Sequence, residues 1–349
     1  MEAELSKTMR RALFAFSCIS LAIGACGGPL ILRLYFVQGG SRIWLSSWLQ
    51  TAGWPIILIP LLVLFMERRK TDGLNTKIIT MNLRVSIMTT LVGLLVGAIN
   101  YLYASGVQRL PVSTATLILS SQLVFTAVFA LVLVRQKFTP YTVNTVVLLT
   151  LGAVVLALRG SSDKPQGESG KTYTVGFVMT FGAAMMSGLL FPSIELVYMK
   201  ARQAVTCTLV LEIQLVICIV STVFSTVGML AVNDFKAIPR EAREFQLGQI
   251  KYFVVLISSA IIWQFNTLGA VGIIFCASSL VTGIISSVLL PIQQVLAVVL
   301  FHDKFQAEKG LSLFLCLWGF ISHLYGEYRA GKKNKSEVKE SEMTPAAVP

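Results

Sequence analysis

Charge is scarce in this chain: 13% of its 349 residues are Asp, Glu, Lys or Arg, against 55% hydrophobic residues and a mean hydropathy of +0.74. That scarcity excludes a soluble globule, which needs polar side chains to meet water over its whole surface. Acids are the rarer sign, 17 against 29 bases, and there are only 2 histidines. His302 and His323 flank helix ends far apart in sequence, so neither a metal site nor a catalytic triad is expected, and no Ser, His and carboxylate set has a hydrolase context. The six cysteines, Cys18, Cys26, Cys207, Cys218, Cys276 and Cys316, form no CxxC pair and lie in or beside apolar segments, as reduced core thiols do. A removable signal is lacking too. Lys7, Arg10 and Arg11 precede a long apolar run without a small-residue cleavage site, which marks an anchor that starts inside. The net charge of +12 does not indicate nucleic acid, because the bases sit at the ends of apolar runs and in the C-terminal tail, as topology signals and lipid headgroup contacts.

What the chain has in plenty is apolar run. Crossing about 30 Å of hydrocarbon takes roughly 20 residues at helical rise. Ten runs of about that length fall near 12–32, 43–66, 83–105, 112–134, 142–159, 175–199, 206–232, 251–271, 278–301 and 308–326. The expectation is an all-α integral membrane protein of ten transmembrane helices. An even count puts both termini on one side, and placing that side in the cytosol collects most Lys and Arg there, including Arg68-Arg69-Lys70 and the tail.

The chain also echoes itself. Arg135-Gln136-Lys137-Phe138 after the fourth run matches His302-Asp303-Lys304-Phe305 after the ninth, with Gly152 and Gly319 following at equal spacing. Pro29, late in the first run, finds Pro192 late in the sixth. Two halves of five spans are inverted relative to each other, the architecture of alternating-access transporters. The expected organisation is an N-terminal five-helix repeat over 1–160, a polar linker over 161–174, a C-terminal five-helix repeat over 175–327 and a disordered cytosolic tail over 328–349. The linker's Gly167-Glu168-Ser169-Gly170-Lys171-Thr172 imitates a phosphate loop, but Pro165 stands where the first glycine belongs, so a flexible linker is expected and no ATP or other cofactor. The loop Asn233 to Lys251 reads as a short amphipathic helix with Pro239 in its first turn.

Hydrocarbon penalises unpaired amides and hydroxyls, so polar residues inside apolar runs should face protein, water or ligand. Asn100 and Gln122, in the hairpin from Asn100 to Phe138, are the first of these. Trp54, beside Pro55, and Trp263, beside Gln264, could stack on a planar ligand, with Asn100, Gln122, Gln264 or Asn266 pairing with its ring edges. Tyr101 and Tyr103 point differently on their helix, so at most one reaches the ligand. Gln293 and Gln294 follow Pro291, and one of them lines the site. Trp44 and Trp48 fit an interfacial belt. Glu195 and Glu212 are carboxylates within spans, costly unless paired, hydrated or protonated, and therefore candidates to carry a proton; Glu195 could instead pair with Lys200 or Arg202 near a membrane face.

Several runs together resemble the plant purine permeases of the drug/metabolite transporter superfamily: CGGPL (Cys26 to Leu30), QTAGWP (Gln50 to Pro55), NYLYASG (Asn100 to Gly106), LPVSTATLI (Leu110 to Ile118), DFKAIPREAREF (Asp234 to Phe245), IIWQ (Ile261 to Gln264) and KFQAEKGL (Lys304 to Leu311). The resemblance implies proton-coupled uptake of adenine, cytokinins and related heterocycles or alkaloids, in the plasma membrane, with Asn100, Gln122, Glu195, Glu212, Trp263 and Gln264 at positions of the family pattern. The chain departs from that pattern at Trp54, Asn266 and Gln294, which would remodel the pocket. The partners are then a small heterocycle, a proton and membrane lipid, with a homo-oligomer left open. Two other readings stay open: an exchanger of nucleotide-like anions, for which Arg33 and Arg84 look too close to membrane faces, and a ligand-sensing receptor without transport, against which the echo argues.

Overall fold

A chain this apolar must satisfy its backbone internally, and a helix does so within one segment. The computed structural model describes residues 7–72, 79–109, 118–119, 121–136, 138–158, 170–201, 205–301, 310–311, 314–315, 317–322 and 325–326. Among these every regular element is helical: α1 (Lys7–Val37), α2 (Ile43–Leu49), α3 (Pro55–Asp72), α4 (Leu83–Arg109), α5 (Gln122–Phe129) with its π-helical extension Ala130–Val134, α6 (Pro140–Leu158), α7 (Gly170–Lys200), α8 (Cys207–Ala231), α9 (Asp234–Glu244), α10 (Gln249–Cys276) and α11 (Ser279–Phe301). Helical residues at 317–322 belong to the tenth run. Six of the described helices, α1, α4, α7, α8, α10 and α11, are long and apolar enough to cross a membrane. Their outer faces carry large apolar side chains such as Phe16, Ile19 and Ile257, which lipid would cover. The chain is an integral membrane protein. Residues 161–169 of the expected linker, the tail, His302, His323 and Cys316 lie outside the described residues, while 170–174, also expected in the linker, open α7 as helix.

Two sequence expectations need correction. The second run, 43–66, is not one helix. It breaks at Gln50 to Trp54, between α2 and α3, because Pro55 disfavours a helical Trp54 and starts a new helix itself. The amphipathic loop helix is present as α9, but Pro239 is its sixth residue and not in its first turn. The helix starts earlier because Asn233 takes a left-handed conformation (φ 58°) and Asp234 places an acid at the helix N-terminus.

Two helices organise the bundle: α1 packs on α10 and α11, and α7 packs on α4 and α5, while α4 also packs on α8. Glycines set the α1–α10 distance. A Cβ on Gly24 would lie 2.1 Å from the Asn266 backbone nitrogen, and one on Gly269 would lie 2.3 Å from that of Leu21. Such close approach is how spanning helices gain contact in lipid, where burying apolar surface gives no advantage.

Two apolar clusters lie at opposite ends. One gathers Val85, Val197, Leu209 and Ile213; the other gathers Tyr35, Leu45, Met229, Phe245 and Tyr252. Leu209 and Met229 sit at opposite ends of α8, so the clusters are about 30 Å apart along that helix. A polar clasp overlies the second. The Glu241 carboxylate of α9 accepts from the Tyr35 hydroxyl, from the Tyr252 hydroxyl at 3.1 Å and from the Ser41 hydroxyl at 3.1 Å. Arg42 makes ion pairs with Asp234 and Glu241, each at 3.4 Å. Burial pushes the Asp234 carboxyl up from its ordinary range, and Arg42 opposes that shift.

Gly269→Ala tests the seam. A methyl driven into the Leu21 backbone costs about 1 to 3 kcal/mol, more than the roughly 1 kcal/mol an alanine gains over glycine in a helix. We expect a lower Tm of the detergent-purified protein in a thermal-shift assay. Gly182→Ala, whose Cβ meets only Leu102 Cδ1 at 3.7 Å, should leave Tm unchanged or raise it.

Candidate functional site: a central cavity

Between the two clusters lies a cavity of about 250 Å³, lined from α1, α4, α5, α7, α8, α10, α11 and the break before α3. Its wall is mostly apolar with a few polar groups, the pattern of small-molecule sites. From α4 come Asn100 and Tyr103, from α5 Gln122 and Thr126, and from α10 Trp263, Asn266 and Thr267. The break contributes Gln50 and Thr51, and α8 contributes Gln214 and Cys218. Pro29 and Arg33 enter from α1. Trp263 reaches the wall because Gly28 leaves room for its ring, where a Cβ would come within 2.8 Å. Tyr103 meets that ring edge-on, centroids 6.1 Å apart at 75°.

Two donors in this wall are unused. Asn100 Nδ2 and Trp263 Nε1 are both buried without a hydrogen-bond partner. A buried donor left unpaired costs about 1 to 3 kcal/mol, so the wall favours a guest that brings acceptors. Two rings and two unpaired donors carried by lining residues suit a flat molecule with lone pairs on its edge. Among the described lining residues the one charged side chain is Arg33, and no carboxylate is present.

The structure brings together Asn100, Gln122, Trp263 and Asn266 of the expected binding residues, and sets others apart. Tyr101 points away from the cavity and stacks on Trp44, centroids 4.1 Å apart; Tyr103 lines the wall in its place. Trp44 thus stacks on Tyr101, and Trp48 donates to the Thr226 hydroxyl at 3.0 Å; neither lines the cavity. Trp54 is half-buried outside the lining, and the neighbouring Gln50 and Thr51 face the cavity. Gln264 is 1% exposed and outside the lining, with its amide donating to the Thr51 carbonyl at 3.1 Å. The side chain of Gln294 lies outside those described; Gln293 lines the cavity. Arg33, expected near a membrane face, also lines it.

The two carboxylates stand away from the cavity, at the end where α11 begins. Glu195 accepts from the Ser279 backbone N–H at 2.7 Å, capping α11. Glu212 accepts from the Thr80 N–H at 3.0 Å and its hydroxyl at 2.8 Å, holding the segment that leads into α4. Sequence reasoning missed Thr51, Thr126 and Thr267, because hydroxyls are common in spans and bond back to their own helix. Gln50 carried a usable signal, an amide beside the Gly53-Trp54-Pro55 breaker.

Spanning helices around a partly enclosed, sparsely polar hollow define an integral membrane protein with room for a small molecule. Residues 12–333 match the model of a family described as purine nucleobase transmembrane transport. The chain is 52% identical to purine permease 3 of Arabidopsis thaliana, covering 96% of this chain and 97% of that protein. It is 50% identical to purine permease 2 of the same plant, covering 97% and 98%. A solved crystal structure superposes with a TM-score of 0.60 at 15% identity, over 90% of this chain and 97% of that one, which is a likeness of fold. The chain belongs to the plant purine permease family, and it is a membrane transporter, not an enzyme.

Asn100→Leu and Trp263→Phe each delete one unused donor while keeping bulk. We expect each to weaken binding of a radiolabelled purine base to detergent-purified protein by about 3- to 10-fold, one hydrogen bond's worth. Tyr101→Phe keeps the stack on Trp44 and should bind as the wild type does.

Proposed function

We propose that the chain is a proton-coupled secondary importer of neutral planar nitrogen heterocycles, purine bases first, with cytokinins and related alkaloids as larger members of the same class. The observation that carries this reading is the pair of unused donors, Asn100 Nδ2 and Trp263 Nε1, in an aromatic wall. A purine base offers acceptor nitrogens at its edge and a face for the rings. Lack of a carboxylate among the described lining residues favours the neutral form of the guest over a protonated one.

Transport proceeds by alternating access in ten spans arranged as an inverted five-plus-five repeat. Packing supports that arrangement. Number the ten runs in order and exchange each with the one five places away: the contact of α1 with α10, the first run on the eighth, becomes that of α7 with α4, the sixth on the third. The contact of α1 with α11 becomes that of α7 with α5 in the same way. The cavity then lies where the halves meet, the position inverted-repeat carriers use. The Glu241 clasp closes one end of the path and the Glu195 and Glu212 bonds close the other.

Glu195 and Glu212 couple the proton at a distance. An ionised carboxylate holds a backbone N–H roughly twice as strongly as a neutral group does, so protonation loosens the Ser279 and Thr80 contacts and frees that end to move. Both termini lie in the cytosol, and the membrane is the plasma membrane.

In proteoliposomes, an inward proton gradient should drive accumulation of labelled adenine, and failure with every heterocycle tried would favour a ligand-sensing receptor. Glu195→Gln and Glu212→Gln should flatten the pH dependence of uptake; wild-type pH dependence in both would remove the carboxylates from the coupling. Arg33 in the wall keeps the nucleotide-like anion exchanger as a second reading. It would show as competition by nucleotides that Arg33→Gln abolishes.

A further inference from the structure

The break between α2 and α3 is held by a residue that does not itself face the cavity. Leaving the helix at Gln50 to Trp54 gives up regular backbone bonds in a setting with little water to replace them. The Thr51 carbonyl accepts from the Trp54 N–H at 3.2 Å and from Gln264 Nε2 at 3.1 Å. The Thr51 hydroxyl is tied to Thr222 at 3.1 Å and to Ser221 at 3.4 Å. Gly53 fits against Ala260 O and Gln264 Cγ so closely that a Cβ would come within 2.4 Å of both. The turn therefore rests on α10 at residues 260 and 264, one helical turn apart, and Gln264 supplies a side-chain hydrogen bond there.

This support stands directly behind the wall. Gln50 and Thr51 line the cavity on the near side of the turn, and Trp263, beside Gln264 in sequence, lines it from α10. The Gln50 amide Nε2 is turned back to the Ser46 carbonyl at 3.4 Å, which leaves its Oε1 as the group offered to a guest. Set against the donors of Asn100 and Trp263, that oxygen completes a pattern of two donors and one acceptor.

We propose that Gln264 is a positioning residue for specificity: by holding the Thr51 carbonyl it fixes the unwound turn so that Gln50 Oε1 accepts from an exocyclic amino group on the ring. The site then prefers amino-substituted over keto-substituted bases, because a keto oxygen facing Gln50 Oε1 would set two acceptors against each other. The inference rests on the cavity being the substrate site. It differs from direct contact by Gln264, since that side chain acts through the turn.

The test is uptake of labelled adenine into proteoliposomes, with unlabelled hypoxanthine as competitor. Gln264→Met keeps length and removes the amide; it should raise KM for adenine about tenfold with Vmax within about twofold, and reduce the adenine-to-hypoxanthine preference by about the same factor. Gln50→Met should do likewise. The double variant should be no worse than either single one, because both changes break one chain of contacts. If Gln264→Met fails to accumulate in membranes, Gln264→Leu, which also lacks the donor, carries the test with the same expectations. Unchanged KM and preference in a folded Gln264 variant, a fall in Vmax alone, or additive losses in the double variant would overturn the proposal. Wild-type protein that takes up no base would instead sink the transport reading.

Discussion

Hydrocarbon offers no hydrogen bonds, and that single property of the solvent decides where every polar group of this chain can go. Helices absorb the backbone. The side chains have three remaining destinations, which are another helix, a helix end or the central hollow. Ser47 and Ser225 take the first course, bonded at 3.1 Å, and Glu195 takes the second by capping α11. Asn100 and Trp263 take the third, and their side-chain nitrogens are buried without a partner. A donor left unpaired in the wall of a cavity is most simply understood as reserved for a guest.

Backbone contact builds the hollow. Gly24 and Gly269 bring α1 and α10 so close that Trp263 and Asn266, on the cavity side of the same seam, have no freedom to drift. On the facing side α4 approaches α8 through Gly93 and Gly97, against Val220 and Phe224. Both pairs of helices thus meet through glycine. The rigid seams lie beside the cavity, while the polar bonds that could open lie at its ends.

Much of this was legible in the sequence, and the limit of legibility has a physical cause. An amide in a long apolar run is rare and expensive, so Asn100 and Gln122 announced themselves, and both line the cavity. Facing is a finer matter. Each residue turns about 100° from the last, so Tyr101 and Tyr103 differ by roughly half a turn, and composition cannot say which looks inward. The same rotation separates Trp263, which faces the cavity, from Gln264, which faces the Thr51 carbonyl. The Gly53-Trp54-Pro55 breaker was visible, yet the eye falls on the tryptophan, and it is the two residues before the glycine's neighbour, Gln50 and Thr51, that reach the wall. Gly24-x-x-x-Gly28 was equally visible on α1, but nothing local to it names α10 as its partner. Nor could the sequence pair Glu212 with Thr80, since that bond spans 132 positions and ends on a backbone N–H.

The separation of carboxylates from the cavity constrains any coupling scheme. A proton bound inside the hollow would act on the guest by charge, and would need an acid in the wall; none stands among the described lining residues. The acids stand where helices begin, each holding backbone N–H groups at one end of the path. Under the proposed coupling, a proton taken up there would change the strength of a closure and leave the guest's own contacts untouched. On that proposal binding and energy input are divided between different residues, the wall selecting a flat acceptor-bearing molecule by complementarity and the ends deciding from which side it can enter. Under such a division, substitutions at Gln50, Asn266 or Tyr103 would change which ring fits without disturbing how movement is driven, because the selecting groups and the driving groups share no bond.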